Sequence, residues 1–260
     1  MNADVHAHTS YSDGGEIPLM LRAAVDPGLD AVGFTDHCSL SETWREERLL
    51  WNRNFDRTYE RRREALAIAE RRYDVRTYDA VEMDYEPGLE RRIESFLDCA
   101  GFDYAIGSVH DLDGANVHAR SHFAGKPKAE RRDLVDRYFE KLVALIDSEL
   151  FTIAAHPDLV ERNPHLRGFA TVEQYERVAD AFTDSRTVPE INAGRLLDDY
   201  GEFHPSPVFL DVLTAHDVSM TVGTDSHEPD AIAPRATAIE REFDARGIEV
   251  AEVTDIVDAA

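Results

Sequence analysis

Strand patterns that alternate with helical patterns predict an α/β fold, a distorted TIM-like (β/α)7 barrel that makes one domain of residues 1–260. Seven short apolar or β-branched runs recur near residues 2–8, 31–35, 76–83, 103–109, 151–155, 187–192 and 218–224, with a helical pattern after each. The length agrees, since units of about thirty-odd residues fill one closed barrel. Most runs also close on histidine, aspartate or glutamate, and the carboxyl ends of parallel strands are where such a barrel builds its site.

The first run, Asp4-Val5-His6-Ala7-His8, alternates as a strand does, with His6 and His8 facing one side and Val5 and Ala7 the other. Two imidazoles so placed can bind one metal ion together. A helix over 16–26 leads to the second run, which ends at Thr35-Asp36-His37. Residues 44–72 read as a charged helical excursion, and the glutamates interleaved around Arg61-Arg62-Arg63 make that triplet a solvated face rather than an anion site. The third run carries Glu82, and beyond a helix over 88–99 the fourth ends at His110. Residues 111–130 are polar and loop-like, with Gly114, Gly125 and Pro127, and are placed to help close a site; His118 and His122 lie in this loop. Helices over 130–147 and 171–183 flank the fifth run, which ends at His156, and the sixth run follows. Ser206 reads as the N-cap of a helix over 206–216, with Pro207 in its first turn. The last run meets Asp225-Ser226-His227, and an amphipathic tail begins near 229. His165, His204 and His216 read as packing or loop residues.

Hydrophobic residues make up 43% of the chain, enough for a sizeable core, and the formal charge is −24. No apolar run reaches about eighteen residues and the first strand starts almost at once, so neither a membrane span nor a signal peptide is expected. Cys38 and Cys99 have neither disulfide nor zinc-finger spacing, which suits a reducing compartment, and Cys38 reads as a small buried thiol. Lys126, Lys128 and Lys141 are the only lysines, and acids spread along the whole chain. Such a surface stays soluble where salt screens its self-repulsion, so a cytoplasmic protein adapted to high salt is expected. The same field makes nucleic acid and anionic membrane poor partners, whereas a small anionic substrate stays compatible because metal ions would dominate the local potential.

Six of the eleven histidines, His6, His8, His37, His110, His156 and His227, lie in or directly after these runs. Imidazole together with carboxylate suits zinc, manganese or iron, and no thiolate set demands zinc. Taken in order, Asp4-Val5-His6-Ala7-His8-Thr9 with Ser12-Asp13-Gly14, Thr35-Asp36-His37, Val81-Glu82-Met83-Asp84, Gly107-Ser108-Val109-His110, His156-Pro157-Asp158 and Asp225-Ser226-His227 resemble the four motifs of the PHP family. That name denotes the polymerase and histidinol phosphatase family of metal phosphoesterases. The segments at 107–110 and 156–159, with Glu190-Ile191-Asn192-Ala193-Gly194, particularly resemble the histidinol-phosphatase branch.

The resemblance implies two or three divalent ions in a distorted seven-stranded barrel. His6, His8, Glu82 and Asp225 would hold the first; Glu82, His110 and His156 the second, with Glu82 bridging; His37 and His227 the third. The family often supplies an early histidine to the third site. None lies between His8 and His37, so Asp13 is the candidate. Branch members bind phosphate with arginines from late loops, a role matched here by Arg195 and Arg162, and His118 is a further substrate-binding candidate.

A bridging carboxylate keeps two ions about 3.5–4 Å apart, which clamps both oxygens of an in-line displacement, and bound water falls from a pKa of about 15.7 towards about 7. The expected reaction is hydrolysis of a small phosphate ester, concretely histidinol phosphate to histidinol in histidine biosynthesis, by hydroxide bridging the first pair. Glu82, Asp225 and His156 are the expected catalytic ligands. Asp4 and Asp36 are expected to orient histidine rings, and Asp158 is a candidate acid for the leaving alkoxide. Three alternatives remain at this level. A phosphoesterase of nucleotides or oligonucleotides is opposed by the charge. An amidohydrolase would want a carboxylated lysine at a strand end, where no lysine lies. A metal-stabilised module without catalysis would be marked by a missing ligand.

Overall fold

In chain order the strands are β1 (Ala3–Ala7), β2 (Ala31–Phe34), β3 (His37–Cys38), β4 (Arg76–Asp84), β5 (Tyr104–Ser108), β6 (Asp111–Leu112), β7 (Ala115–Asn116), β8 (Ile153–Ala154), β9 (Val188–Asn192) and β10 (Thr221–Gly223). The computed structural model, which describes residues 1–246, 250–251 and 253–258, arranges the main sheet as β1-β2-β4-β5-β8-β9-β10, every neighbouring pair parallel. These are the seven runs expected from sequence. The ring is nearly closed where β1 meets the end of β10: Ala7 bridges Ser226, His8 N donates to Ser226 O at 2.9 Å, and Asp225 N donates to His6 O at 2.7 Å.

Asp4 locks that seam. Fully buried, it accepts from the backbone N–H of Thr224 at 2.9 Å and of His6 at 3.1 Å, and burial pushes its carboxyl up to about 6. It therefore fastens two strands rather than orienting an imidazole. Across the barrel, Tyr104 donates its hydroxyl to Val5 O at 2.6 Å.

The helices are α1 (Ile17–Val25), α2 (Glu42–Leu50), α3 (Tyr59–Ala69), α4 (Glu90–Ala100), α5 (Arg120–Ala124), α6 (Lys128–Asp147), α7 (Val172–Thr183), α8 (Pro207–Ala215), α9 (Pro229–Arg246) and α10 (Val253–Asp258). Their boundaries follow local chemistry. Thr171 and Gln174 form a capping box at the start of α7, and Gly101, at φ 59°, closes α4 in the left-handed conformation. Ser206 precedes α8 and Pro207 opens it as expected, although the Ser206 hydroxyl makes no capping bond. Between helices and sheet the apolar faces interlock; Tyr175 of α7 stacks on Phe209 of α8 with ring centroids 4.4 Å apart.

Two expected stretches differ from the structure. The excursion at 44–72 is two helices and not one: α2 stops at Leu50, Asn52 turns the chain at φ 54°, and α3 starts at Tyr59. Nor is its arginine triplet all solvated. Arg62 is fully buried, donating to Asp36 at 2.7 Å, to Asp79 at 2.7 Å and to Ala80 O. The loop after His110 is likewise more ordered than expected, holding the β6–β7 hairpin and the short α5.

Candidate metal centre

Glu82 occupies the centre of the barrel mouth because it faces inward near the end of β4, where β3 pairs His37 beside it. Its Oε1 lies 3.1 Å from His156 Nε2 and 3.4 Å from His110 Nε2. Its Oε2 lies 2.7 Å from His37 Nδ1, 3.4 Å from His6 Nε2 and 3.6 Å from His8 Nε2. Asp225 Oδ1 stands 3.2 Å from His8 Nε2 and 3.7 Å from His6 Nε2. Asp13 Oδ1 stands 3.5 Å from His227 Nε2, 3.7 Å from His37 Nε2 and 3.9 Å from His8 Nδ1.

The structure thus brings together every residue the sequence nominated as a ligand. Among the described residues, three groups have donor atoms within 4.8 Å of one another: His6, His8 and Asp225; His37, Glu82 and His110; and His8, Asp13, His37 and His227. The grouping differs in detail from the expected one, since His8 and His37 each stand in two groups. Asp13 does meet His37 and His227.

Backbone geometry at the site is particular. His156 and Asp225 stand two residues past the ends of β8 and β10 with φ of 29° and 49°, a conformation that costs a non-glycine residue energy and turns both side chains over the mouth. Gly14 and Gly223 are required by close approach. A Cβ on Gly14 would fall 2.3 Å from the His8 carbonyl, and one on Gly223 would fall 1.9 Å from Glu190 Oε1. Asp36 accepts from Thr9 N, Thr9 Oγ1 and Ser12 Oγ as well as from Arg62, so it shapes the turn that carries Asp13 and does not touch a histidine ring.

The ring-orienting carboxylates are two others, Glu190 and Asp84. His6 Nδ1 meets Glu190 Oε1 at 2.8 Å and His110 Nδ1 meets Asp84 Oδ1 at 2.8 Å, which leaves each Nε2 facing the cluster. Arg48 grips both oxygens of Asp84 at 3.0 and 2.9 Å. Glu190 and Asp84 had a signal in the sequence: each stands two residues from another inward-facing polar residue on its strand, Asn192 and Glu82.

Charge and protonation fit a cation site. Burial opposes ionisation of Glu82, Asp225 and Asp13, but the facing imidazoles hold all three carboxyls below the usual carboxylate range. Burial pushes His156 down to about 4 and, with His8 beside it, His227 to about 3, so both rings are neutral near pH 7 and have a free lone pair. Nδ1 of His8, His37 and His156 and Oε2 of Glu82 are buried without a hydrogen-bond partner. The 2.7 Å approach of His37 Nδ1 to Glu82 Oε2 lacks hydrogen-bond alignment. Such orphaned lone pairs are costly in a fold unless a cation satisfies them, and the donor set suits divalent ions.

A cavity of about 650 Å³ opens over the cluster, with Arg162, Arg195 and His118 in its wall. Arg162 is nearly buried, its Nη2 has no hydrogen-bond partner, and it stands 3.8 Å from Asp225 Oδ2. Arg195 is half exposed and pairs with Asp198 at 3.0 Å. Asp158 is fully buried and engaged by His204 Nδ1 at 2.6 Å and Ser206 N at 2.7 Å, away from a role as free acid; His204 Nε2 in turn receives Arg162 Nε at 3.4 Å. His204, expected to be a packing residue, therefore helps set Arg162. His122 is exposed, and His216 pairs with Asp180 at the surface.

Comparison with known proteins agrees with this geometry. The chain is 25% identical over 237 residues to the Deinococcus radiodurans protein named "Probable histidinol-phosphatase", covering 89% of this chain and 88% of that one. It is 26% identical over 239 residues to the histidinol-phosphatase of Lactococcus lactis, covering 86% and 83%. The solved structure of the Lactococcus lactis histidinol phosphate phosphatase, complexed with zinc, L-histidinol and phosphate, superposes with a TM-score of 0.69 at 22% identity, covering 92% of this chain and 93% of that one. The PHP domain model matches residues 4–194, well over half of the sequence, and the chain belongs to the PHP domain family.

Proposed function

We propose that the chain is a metal-dependent phosphomonoesterase of a small phosphate ester, with histidinol phosphate, the ester its relatives' names point to, as the substrate. The observation that carries this reading is the meeting of buried imidazoles and carboxylates around Glu82, with Arg162 Nη2, which no hydrogen bond engages, beside them. His6, His8, Glu82 and Asp225 would hold one divalent ion, Glu82, His110 and His156 a second, and Asp13, His37 and His227 a third, with zinc, manganese and iron all suited. Divalent ions there would acidify water and offset the charge of the phosphate oxygens.

The chain's own groups do the rest. Arg162 and Arg195 present planar donors that match a phosphate's oxygens in pairs. His118 stands exposed on the cavity wall, where its ring can donate an N–H to the substrate. Glu190 and Asp84 hold His6 and His110 in the tautomer that turns Nε2 inward. The −24 charge and the scarcity of lysine support a cytoplasmic protein adapted to high salt, and among the described residues no helix is long and apolar enough to cross a membrane.

The test is phosphate release by purified protein loaded with manganese or zinc, with elemental analysis of the same preparation. We expect two or three ions per chain, loss of activity on chelation, recovery on metal return, and histidinol phosphate turned over far faster than 4-nitrophenyl phosphate. Glu82→Ala should lose at least about a hundredfold in kcat/KM, about 2.7 kcal/mol, with the fold retained. Equal turnover of the two esters would remove the substrate, and no release from any phosphate ester would remove the reaction.

A further inference from the structure

Trp44, Glu47, Arg48 and Trp51 stand on and just after α2 at i, i+3, i+4 and i+7, the spacing that places side chains on one helix face. All four line the cavity over the cluster. Trp44 and Trp51 are the chain's only tryptophans, so its whole indole content stands at one mouth. Trp51 is 69% exposed, and Leu49 and Leu50 beside it are exposed as well. A large apolar surface held at the rim of a polar cavity is the informative kind of exposure, because nothing in folding is gained by it.

The face is held in place. Arg48 is clamped on Asp84, which holds His110, so the pose of α2 is tied to the cluster itself. Glu47 shares the helix face of the two tryptophans and lines the same cavity. Arg53, on the same lip, faces Asp13 and helps hold that carboxyl ionised. Arg162, Arg195 and His118 line the same cavity. The cavity therefore joins cationic groups that suit phosphate, Arg162 and Arg195, to an aromatic face on α2 where Glu47 stands beside Arg48, clamped on Asp84, and Arg53, which faces Asp13. Aromatic faces with a carboxylate beside them are the recognition chemistry of a flat, positively charged group.

We propose that the Trp44–Glu47–Trp51 face of α2 is the specificity wall of the site, and that it selects phosphate esters whose other half is a planar ring carrying positive charge. This rests on the phosphatase reading and adds the residues that read the leaving group. A ring laid against an indole is held by stacking, its charge by Glu47 and by the indole face, and the ester bond is thereby set over Glu82. The cavity, at about 650 Å³, is of the size of a small-ligand site.

The test compares three esters that share the phosphate: histidinol phosphate with ring and charge, 4-nitrophenyl phosphate with a ring alone, and glycerol 2-phosphate with neither. Trp44→Leu and Trp51→Leu should each lower the ratio of kcat/KM for histidinol phosphate over glycerol 2-phosphate by about tenfold, chiefly through KM. Glu47→Gln should lower the ratio of histidinol phosphate over 4-nitrophenyl phosphate. Equal losses on all three esters would overturn the proposal and reduce α2 to a support for His110. A second measurement needs no turnover: histidinol alone should change the tryptophan emission of the metal-loaded wild type saturably, and more weakly in Glu47→Gln. No saturable change, or the same change with glycerol, would overturn it. Should the wild type hydrolyse none of the esters, the phosphatase reading falls and this titration alone decides the wall.

Discussion

Asp84 shows how far a single strand position reaches. Side chains two apart on a strand share a face, so Glu82 enters the cluster and Asp84, one step further out, meets His110 Nδ1 on one side and Arg48 on the other. Most candidate ligands were legible because they stand in or at the end of an apolar run, whereas Asp13, in the polar turn Ser12-Asp13-Gly14, was reached only through the family resemblance. Asp84 and Glu190 were not singled out, since the chain carries 52 acids and only their two-residue offset from Glu82 and Asn192 sets them apart. Replacing Asp84 by asparagine keeps the shape but removes the charge that fixes the His110 tautomer. We expect metal affinity to fall by about 10- to 100-fold, measured by competition with a chelating dye, while the far-ultraviolet circular dichroism is unchanged. Unaltered affinity would show that His110 needs no such partner.

Elements were legible where periodicity decided them and illegible where distant partners did. The strands and most of the helices lie where apolar period and turn residues place them. The excursion before β4 was misread because glutamates flank its arginines, while Arg62 is buried by Asp36 and Asp79, carboxylates from elsewhere in the chain. A similar long-range effect governs the 3-10 turn Leu159–Arg162 that leads from β8 to Arg162. There Glu161 is buried, its Oε2 accepting from Gly168 N at 2.8 Å and its Oε1 without partner, and burial raises its carboxyl to about 7. The folded chain thus keeps this group protonated where the unfolded chain ionises it. Stability is full below the ordinary value of 4.5 and falls as pH rises towards about 7. Glu161→Gln keeps an acceptor for Gly168 and cannot ionise. Urea midpoints should therefore favour the variant increasingly from about pH 5 to about pH 8, by at most about 3 kcal/mol. A difference independent of pH would mean that Glu161 ionises freely in the fold.

At the scale of the whole molecule, two populations of charge coexist. One is interior: Arg62 with Asp36 and Asp79, Asp84 with Arg48, and the cluster around Glu82, all shielded from solvent salt by packing. The other is the acidic surface that makes up most of the −24. Only the second repels itself through water, and its repulsion opposes the compact state. Exposed charges stop sensing one another when their spacing exceeds the Debye length, which shrinks from about 10 Å at 0.1 M salt to about 3 Å at 1 M. The melting temperature of metal-loaded protein should therefore rise steeply between about 0.05 and 1 M potassium chloride and flatten beyond. Sodium chloride should act equally, because screening depends on ionic strength and not on the cation. The interior pairs predict the complement: activity measured well below the melting temperature should change less with salt than stability does. A melting temperature that is flat or falls over this range would show that the surface acids are already neutralised by their arginine neighbours, and that high salt is not the condition this surface fits.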